Sequence, residues 1–183
     1  MTEKLLTEKL KQIRLIISDV DGVFTDGSLY IGQQGELFKR FHALDGAGIA
    51  LLQAVNFPMA IITGRASEIT RERMRELGLA EHLYQGNLAK LEPYGKIRSE
   101  FKLQDAEILY IGDDLVDLPL IRRAGVGVAV ANAHPSVKEA ADYVTRKEGG
   151  SGAVREIIEL LLTAQDKYIV AMETLNKHTY KDF

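Results

Sequence analysis

The 183-residue sequence contains no cysteine and no tryptophan, with only 4 prolines and 6 phenylalanines. Without a thiol there is no disulfide, no thiolate metal ligand and no redox chemistry carried by the protein itself. So few aromatic rings argue against an aromatic-cage binder. No apolar run approaches the roughly 20 residues a membrane helix needs. The segment from Met1 to Ile13 is charged where a secretory signal would be apolar, so the expected location is cytoplasmic. The 23 basic residues are scattered and are outnumbered by 26 acidic ones, for a net charge of −3. That balance argues against a nucleic-acid duplex or an anionic membrane as the main partner. Internal repeats, low-complexity tracts and Pro/Gly-rich linkers are also missing.

What is present is a composition of ordinary globular character, 46% hydrophobic and 27% charged. A chain of this length buries about 70% of its unfolded surface, and residues 1–183 are expected to form one domain. Short apolar runs alternate with helical patterns. The runs are Arg14 to Ser18, Pro58 to Thr63, His82 to Gln85, Ile108 to Gly112 and Val126 to Val130, with a shorter one at Asp142 to Thr145. Helical spacing marks Thr2 to Lys11, Gly46 to Val55, Ser67 to Leu77, Lys90 to Phe101, Leu115 to Ala124 and Ser136 to Ala141. A closing helix begins at Ala153 and is expected to run beyond Leu162, as far as about Leu175. Strand alternating with helix predicts an α/β fold, a Rossmann-like parallel sheet with helices on both faces. One segment breaks the rhythm. Ser28 to Ile31 and Glu36 to His42 flank the turn Gly32-Gln33-Gln34-Gly35, which predicts a hairpin flap over about residues 26–42, inserted after the first strand.

Ligands of open parallel sheets bind beyond the carboxyl ends of the strands, so the residues that follow each apolar run are the ones to inspect. Asp19 and Asp21 follow the first run, Thr63, Gly64 and Arg65 the second, and Asp113, Asp114 and Asp117 the fourth, while Lys90 opens the helix after the third. Each is ordinary alone: Asp and Gly end strands, Thr caps helices and lysines are usually solvated. Together, on successive strand ends, they suit a dianionic phosphate meeting a divalent cation. A carboxylate-rich set without sulfur fits a hard ion, Mg²⁺, which removes the mutual repulsion of the acids. Asp19 and Asp21, two residues apart and followed by Gly22, could divide the work, one attacking phosphorus and the other serving the leaving oxygen. Enhancements of phosphate-monoester hydrolysis approach about 10²¹, or more than about 25 kcal/mol. A nucleophile, a general acid, a cation and oriented donors are together the minimum kit.

At these residues the sequence resembles the haloacid dehalogenase superfamily of phosphatases. The motifs match as Asp19-Val20-Asp21-Gly22-Val23, then Thr63, then Lys90, then Gly112-Asp113-Asp114-Leu115-Val116-Asp117, a resemblance spanning about Ile13 to Gln165. It implies that Asp19 is the nucleophile and that Asp21 protonates the leaving alcohol and then activates water. It further implies that Asp19, Asp21 (through its backbone carbonyl) and Asp113 hold Mg²⁺, that Thr63 and Lys90 bind the phosphoryl oxygens, and that Asp114 and Asp117 orient this shell.

A closer resemblance rests on Asp26-Gly27, Tyr30-Ile31-Gly32, Phe41-His42, Asp45-Gly46, Gly149-Gly150 and Gly152-Ala153-Val154-Arg155-Glu156. These are similar to the capless 3-deoxy-D-manno-octulosonate 8-phosphate phosphatases, which act in making the inner-core sugar of bacterial lipopolysaccharide. The resemblance implies a homotetramer in which hairpins assemble at the centre and a neighbouring subunit covers the active site in place of a cap domain. It also implies that His42, Ala43, Leu44, Asp45, Gly46, Arg65, Arg73 and Lys90, with Asp21, contact a sugar-acid phosphate, arginines being suited to carboxylates. The sequence departs from the family at Ala50, where a basic residue is common, and at Asp166, where glycine is common. Two alternatives stand beside this reading. One is a phosphatase for nonulosonate 9-phosphates; the other, of a different class, is a non-catalytic phospho-receiver module, against which Asp21 argues because it would hydrolyse the phospho-aspartate. A catalytically silent scaffold would leave the carboxylate set without a purpose.

Overall fold

The chain is organised around β1 (Leu15–Ser18), four residues with no exposed surface. A strand covered on both faces has no use for alternation, and this one accordingly reads as a continuous apolar run. The structure, a computed structural model, describes residues 2–179. β1 pairs in parallel with β4 (Met59–Thr63) on one side and β6 (Ile108–Gly112) on the other. Outside them lie β5 (Leu83–Gln85) on the β4 side, then β7 (Val126–Ala129) and β8 (Tyr143–Val144) on the β6 side. The resulting order β5-β4-β1-β6-β7-β8 is parallel throughout. The chain moves outward from β1 in one direction through β4 and β5, then crosses back to β6 and continues the other way. The crevice between the ends of β1 and β6 is therefore the topological switch point, where this class of sheet places its ligand.

Helices cover both faces. α1 (Glu3–Gln12) and α2 (Ala43–Ala54) pack with α7 (Ala153–Ala164), and α3 (Glu68–Glu76) adjoins the start of α2, where Arg73 lies over the Phe41 ring. α4 (Leu91–Glu100), α5 (Leu118–Arg123) and α6 (Pro135–Ala140) pack on one another on the opposite side. The inserted segment is a two-stranded hairpin, β2 (Tyr30–Gly32) and β3 (Gly35–Phe38), separate from the main sheet, with the Tyr30 and Phe38 rings stacked 4.2 Å apart. No second domain sits over the sheet among the described residues.

Two expectations need correction. The segment Leu115 to Ala124 is not one helix: a 3-10 turn at Leu115–Asp117 precedes α5, because the Asp117 carboxylate is engaged by backbone amides at its own start. The closing helix does not run to Leu175 either. It stops at Gln165, where Asp166 adopts the left-handed conformation (φ 55°), with Lys167 N–H donating to Leu162 and Asp166 N–H to Thr163. This Schellman geometry ends α7, and Gln165 reaches across to the carbonyls of Leu10 and Ile13 at the end of α1. A new helix, α8 (Tyr168–Thr179), then packs back on α2 and buries Ala171. The remainder of the expected tail, 180–183, lies outside the described residues.

A non-glycine residue in the left-handed region costs about 1–2 kcal/mol, partly offset by the extra chain entropy of glycine, about 0.5–1 kcal/mol. Asp166→Gly is therefore expected to stabilise the protein by about 0.5 kcal/mol, a Tm increase of about 1–2 °C in thermal unfolding. A decrease would show that the Asp166 side chain makes a compensating contribution.

Candidate active site

β1 ends at Ser18, so Asp19 is the first residue beyond the strand, its N–H donating to the Ile111 carbonyl of β6. The chain then coils, with the amides of Val23, Phe24 and Thr25 all directed to the Val20 carbonyl. Asp19 and Asp21 are thus placed by a turn, not on one face of a strand as their spacing alone suggests. Gly22 permits that turn at φ 87°; a Cβ there would lie 2.0 Å from Asp113 Oδ2, so the glycine leaves room for this carboxylate in its observed place. Gly150 N–H donates to Val23 O, tying the segment before α7 to the same loop.

Asp19 is buried, with one oxygen accepting from Val20 N–H (2.7 Å) and the other 2.7 Å from Lys90 Nζ. Lys90, the residue preceding α4, is also buried, and its ammonium makes a second 2.7 Å contact with Asp117 Oδ1. Asp117 is fully engaged: Oδ1 also accepts from the Tyr110 hydroxyl (2.5 Å), and Oδ2 from the amides of Asp113 (3.1 Å) and Asp114 (3.3 Å). Gly112 leaves room for it, since a Cβ there would stand 2.5–2.7 Å from the Asp117 side chain. Asp117 therefore shapes the turn and braces Lys90. Tyr110, fully buried inside β6, completes this brace. Sequence reasoning passed over it, because a tyrosine in an apolar run reads as core.

The electrostatics follow from the crowding. Burial pushes the Asp19 carboxyl up to about 6, Lys90 opposing and Asp117 adding to the rise. Burial likewise raises Asp113 to about 7, assisted by Asp19 and Asp117. Burial works against the Lys90 ammonium, but Asp19 and Asp117 outweigh it and the net shift is upward. Carboxyls that hold protons this tightly are a natural seat for a cation. Ligand oxygens of Asp19, Asp113 and Asp117 lie within 4.8 Å of one another. Of the three, Asp117 has its oxygens committed to hydrogen bonds, leaving Asp19 and Asp113 as the side chains with a hard-oxygen site to offer.

Asp19, Asp21, Thr63, Arg65, Lys90 and Asp113 line one cavity of about 250 Å³, with Asp114 also on its wall and Leu29, Leu88 and Val116 at its mouth. Thr63 is buried at the end of β4. The remaining expected substrate contacts do not line it. His42 caps α2, its Nδ1 accepting from Leu44 N–H; Ala43 and Leu44 are exposed on the first turn. Asp45 is buried against the start of α7, where Oδ1 accepts from Arg155 N–H and burial raises its carboxyl. Gly46 lies beside the Arg73 guanidinium, which pairs with Glu76 at 2.7 Å. Leu44 instead lines a larger cleft of about 560 Å³ with Arg146, Lys147 and Arg155. Lys39, which sequence reasoning did not single out, reaches from the hairpin to Asp21.

Comparison with known proteins identifies the class first. A family model described as haloacid dehalogenase-like hydrolase matches residues 80–158, the stretch that holds Lys90, Asp113, Asp114 and Asp117. The curated 3-deoxy-D-manno-octulosonate 8-phosphate phosphatase of Yersinia pestis is 47% identical over 160 residues, covering 87% of this chain and 85% of the relative. Its Escherichia coli K12 counterpart is 45% identical over 159 residues, covering 87% and 84%. Among solved structures, a HAD superfamily (subfamily III A) hydrolase from Legionella pneumophila superposes with a TM-score of 0.92 at 45% identity, over 95% of each chain. The Moraxella catarrhalis 3-deoxy-D-manno-octulosonate 8-phosphate phosphatase, in complex with magnesium, phosphate and KDO, superposes with a TM-score of 0.90 at 37% identity, over 94% of this chain and 99% of that one. The chain belongs to the 3-deoxy-D-manno-octulosonate 8-phosphate phosphatase family of haloacid dehalogenase-like hydrolases.

The raised carboxyls make stability depend on pH. With folded values of about 6 and about 7 for Asp19 and Asp113, against about 3.9 in an unfolded chain, the folded state binds the extra protons. Their stabilising contribution is complete below about pH 3.9 and is lost as pH rises through about 6 and 7. Without metal, Tm is expected to fall between about pH 5 and pH 8, and added Mg²⁺ should raise Tm more at pH 8 than at pH 5, because cation and protons compete. Scanning calorimetry with Mg²⁺ and with chelator checks this; an Mg²⁺ effect independent of pH would contradict it.

Proposed function

We propose that this chain is a Mg²⁺-dependent, single-domain phosphatase that hydrolyses 3-deoxy-D-manno-octulosonate 8-phosphate to inorganic phosphate and the free sugar acid, in the making of the lipopolysaccharide inner-core sugar. The observation that carries the reading is the Asp19–Lys90–Asp117 array at the switch point, with Asp113 beside it. Membership in a family whose curated relatives are 45–47% identical to this chain over the aligned residues supports the substrate.

A carboxylate oxygen of Asp19 attacks phosphorus as the bond from phosphorus to the sugar oxygen breaks, and Asp21 gives its proton to that leaving oxygen. In the second half, Asp21 takes a proton from water while the water oxygen bonds to phosphorus and the Asp19–phosphorus bond breaks, which restores both carboxyls. Lys90 and the Thr63 hydroxyl donate to the phosphoryl oxygens from fixed, buried positions, so no reorganisation is needed as charge develops. Asp19, Asp113 and the Asp21 backbone carbonyl would hold Mg²⁺, which would supply the positive charge that lets a dianion approach a cluster of acids. Arg65, exposed at the cavity wall, is placed to pair with an anionic group of the sugar acid.

The assembly in this reading is a cytoplasmic homotetramer. Support comes from the apolar side chains that the hairpin leaves exposed, Leu29, Ile31, Leu37 and Phe38. Among the described residues no helix is long and apolar enough to cross a membrane. His42, Ala43, Leu44, Gly46 and Arg73 reach substrate in this reading by lining the covering between neighbouring copies.

Phosphate release from the octulosonate 8-phosphate, a nonulosonate 9-phosphate and an aryl phosphate, each with Mg²⁺ and with chelator, tests the reading. Metal-dependent preference for the octulosonate is expected, and Asp19→Asn should lower turnover by at least about 10⁴-fold with the fold intact. Preference for the nonulosonate would keep the chemistry and replace the substrate; release unaffected by Asp19→Asn would remove the nucleophile.

A further inference from the structure

Asp21 makes an asymmetric set of contacts. Oδ1 lies 2.5 Å from Lys39 Nζ, whereas Oδ2 is buried and has no hydrogen-bond partner. A buried carboxylate oxygen left unmatched costs free energy, and this one belongs to the residue that faces the reaction cavity. Lys39 is itself unusual for a hairpin lysine, since its side chain is 2% exposed. Ordering a lysine side chain loses rotamer entropy, so a buried, fixed conformation needs partners that hold its ammonium. Asp21 is one; the other is Glu36 on β3, 3.6 Å from the same ammonium. Glu36 is in turn fastened to the body of the protein by the Ser67 hydroxyl, which donates to it while accepting from Thr70 N–H as the N-cap of α3. A continuous polar chain thus runs from the first turn of α3 through Glu36 and Lys39 to Asp21, crossing from the sheet to the flap and back.

We propose that Lys39 is a positioning residue for the reaction: by holding Oδ1 it fixes the Asp21 carboxyl in the wall of the cavity that takes the substrate. The inference rests on the reading of Asp21 as the proton donor. It gives the flap a function within its own chain. The hairpin carries the lysine that orients the donor, and the Glu36–Ser67 contact sets the lysine's reach. Small errors in such placement are costly, because proton transfer needs the donor within hydrogen-bond range of its target.

Leaving groups separate this role from a structural one. A sugar alkoxide needs a proton as it departs, whereas a nitrophenolate does not, and kcat/KM reports only steps up to formation of the phospho-enzyme. Lys39→Met is expected to lower kcat/KM for the sugar phosphate by about 10²-fold and for p-nitrophenyl phosphate by less than about fivefold, with Lys39→Arg restoring most of the difference. Asp21→Asn, measured in parallel, should show the same selectivity. Equal losses on both substrates in Lys39→Met, or no loss, overturn the role of Lys39 provided that Asp21→Asn remains selective. Equal losses in Asp21→Asn overturn the proton-donor reading and the inference with it. Should Lys39→Met fail to fold, Glu36→Gln loosens the lysine without touching Asp21. It should shift the substrate ratio in the same direction by about threefold or more, and an unchanged ratio overturns the proposal.

Discussion

The buried ammonium of Lys90, held between Asp19 and Asp117, is the contact on which the rest of this centre depends. It joins the end of β1, the start of α4 and the turn after β6, three pieces of chain far apart in sequence. Remove the positive charge and several largely buried carboxylates would face one another, and at least one would have to stay protonated. Keep it, and Asp19 is aimed, Asp117 is neutralised and the loop carrying Asp113 is fixed in place. The desolvation cost of such a triad is large, so its presence at the crossover of the sheet marks a site built for chemistry and not for stability.

Charge around Lys90 is still unbalanced. Asp19 and Asp113 both bind protons well above the usual carboxylate range, chiefly because they are buried. This residual imbalance is the opening a divalent cation fills, and it ties the electrostatics of the metal-free protein to the metal-dependent reaction. The fold supplies the geometry: parallel strands end together, so residues that follow β1 and β6 and the last residue of β4 meet without any long loop.

Much of the fold is legible in the sequence itself. The parallel α/β sheet follows from apolar runs and helical patterns, and Asp19, Asp21, Thr63, Lys90 and Asp113, which the sequence sets at or after the ends of those runs, line one cavity. What escaped depends on contacts between distant segments. Tyr110 is an apolar-run residue until Asp117 folds back to meet its hydroxyl. Lys39 reads as an ordinary exposed hairpin lysine until its ammonium is seen against Asp21. Asp45 sits beside Gly46 in a motif that suggests substrate contact, yet in this chain it receives an amide of α7. The break at Asp166 is set by backbone conformation, which a polar residue between two helical patterns signals only weakly.

The proposed chemistry requires that Asp19, one of the two carboxylates held by Lys90, become covalently phosphorylated during turnover. Rapid quenching during turnover, borohydride reduction of any acyl phosphate and peptide mass spectrometry would test it most directly. Conversion of Asp19 to homoserine is expected, dependent on both substrate and Mg²⁺ and absent from every other acidic residue. Reduction at another carboxylate, or none under conditions where turnover proceeds, would contradict it.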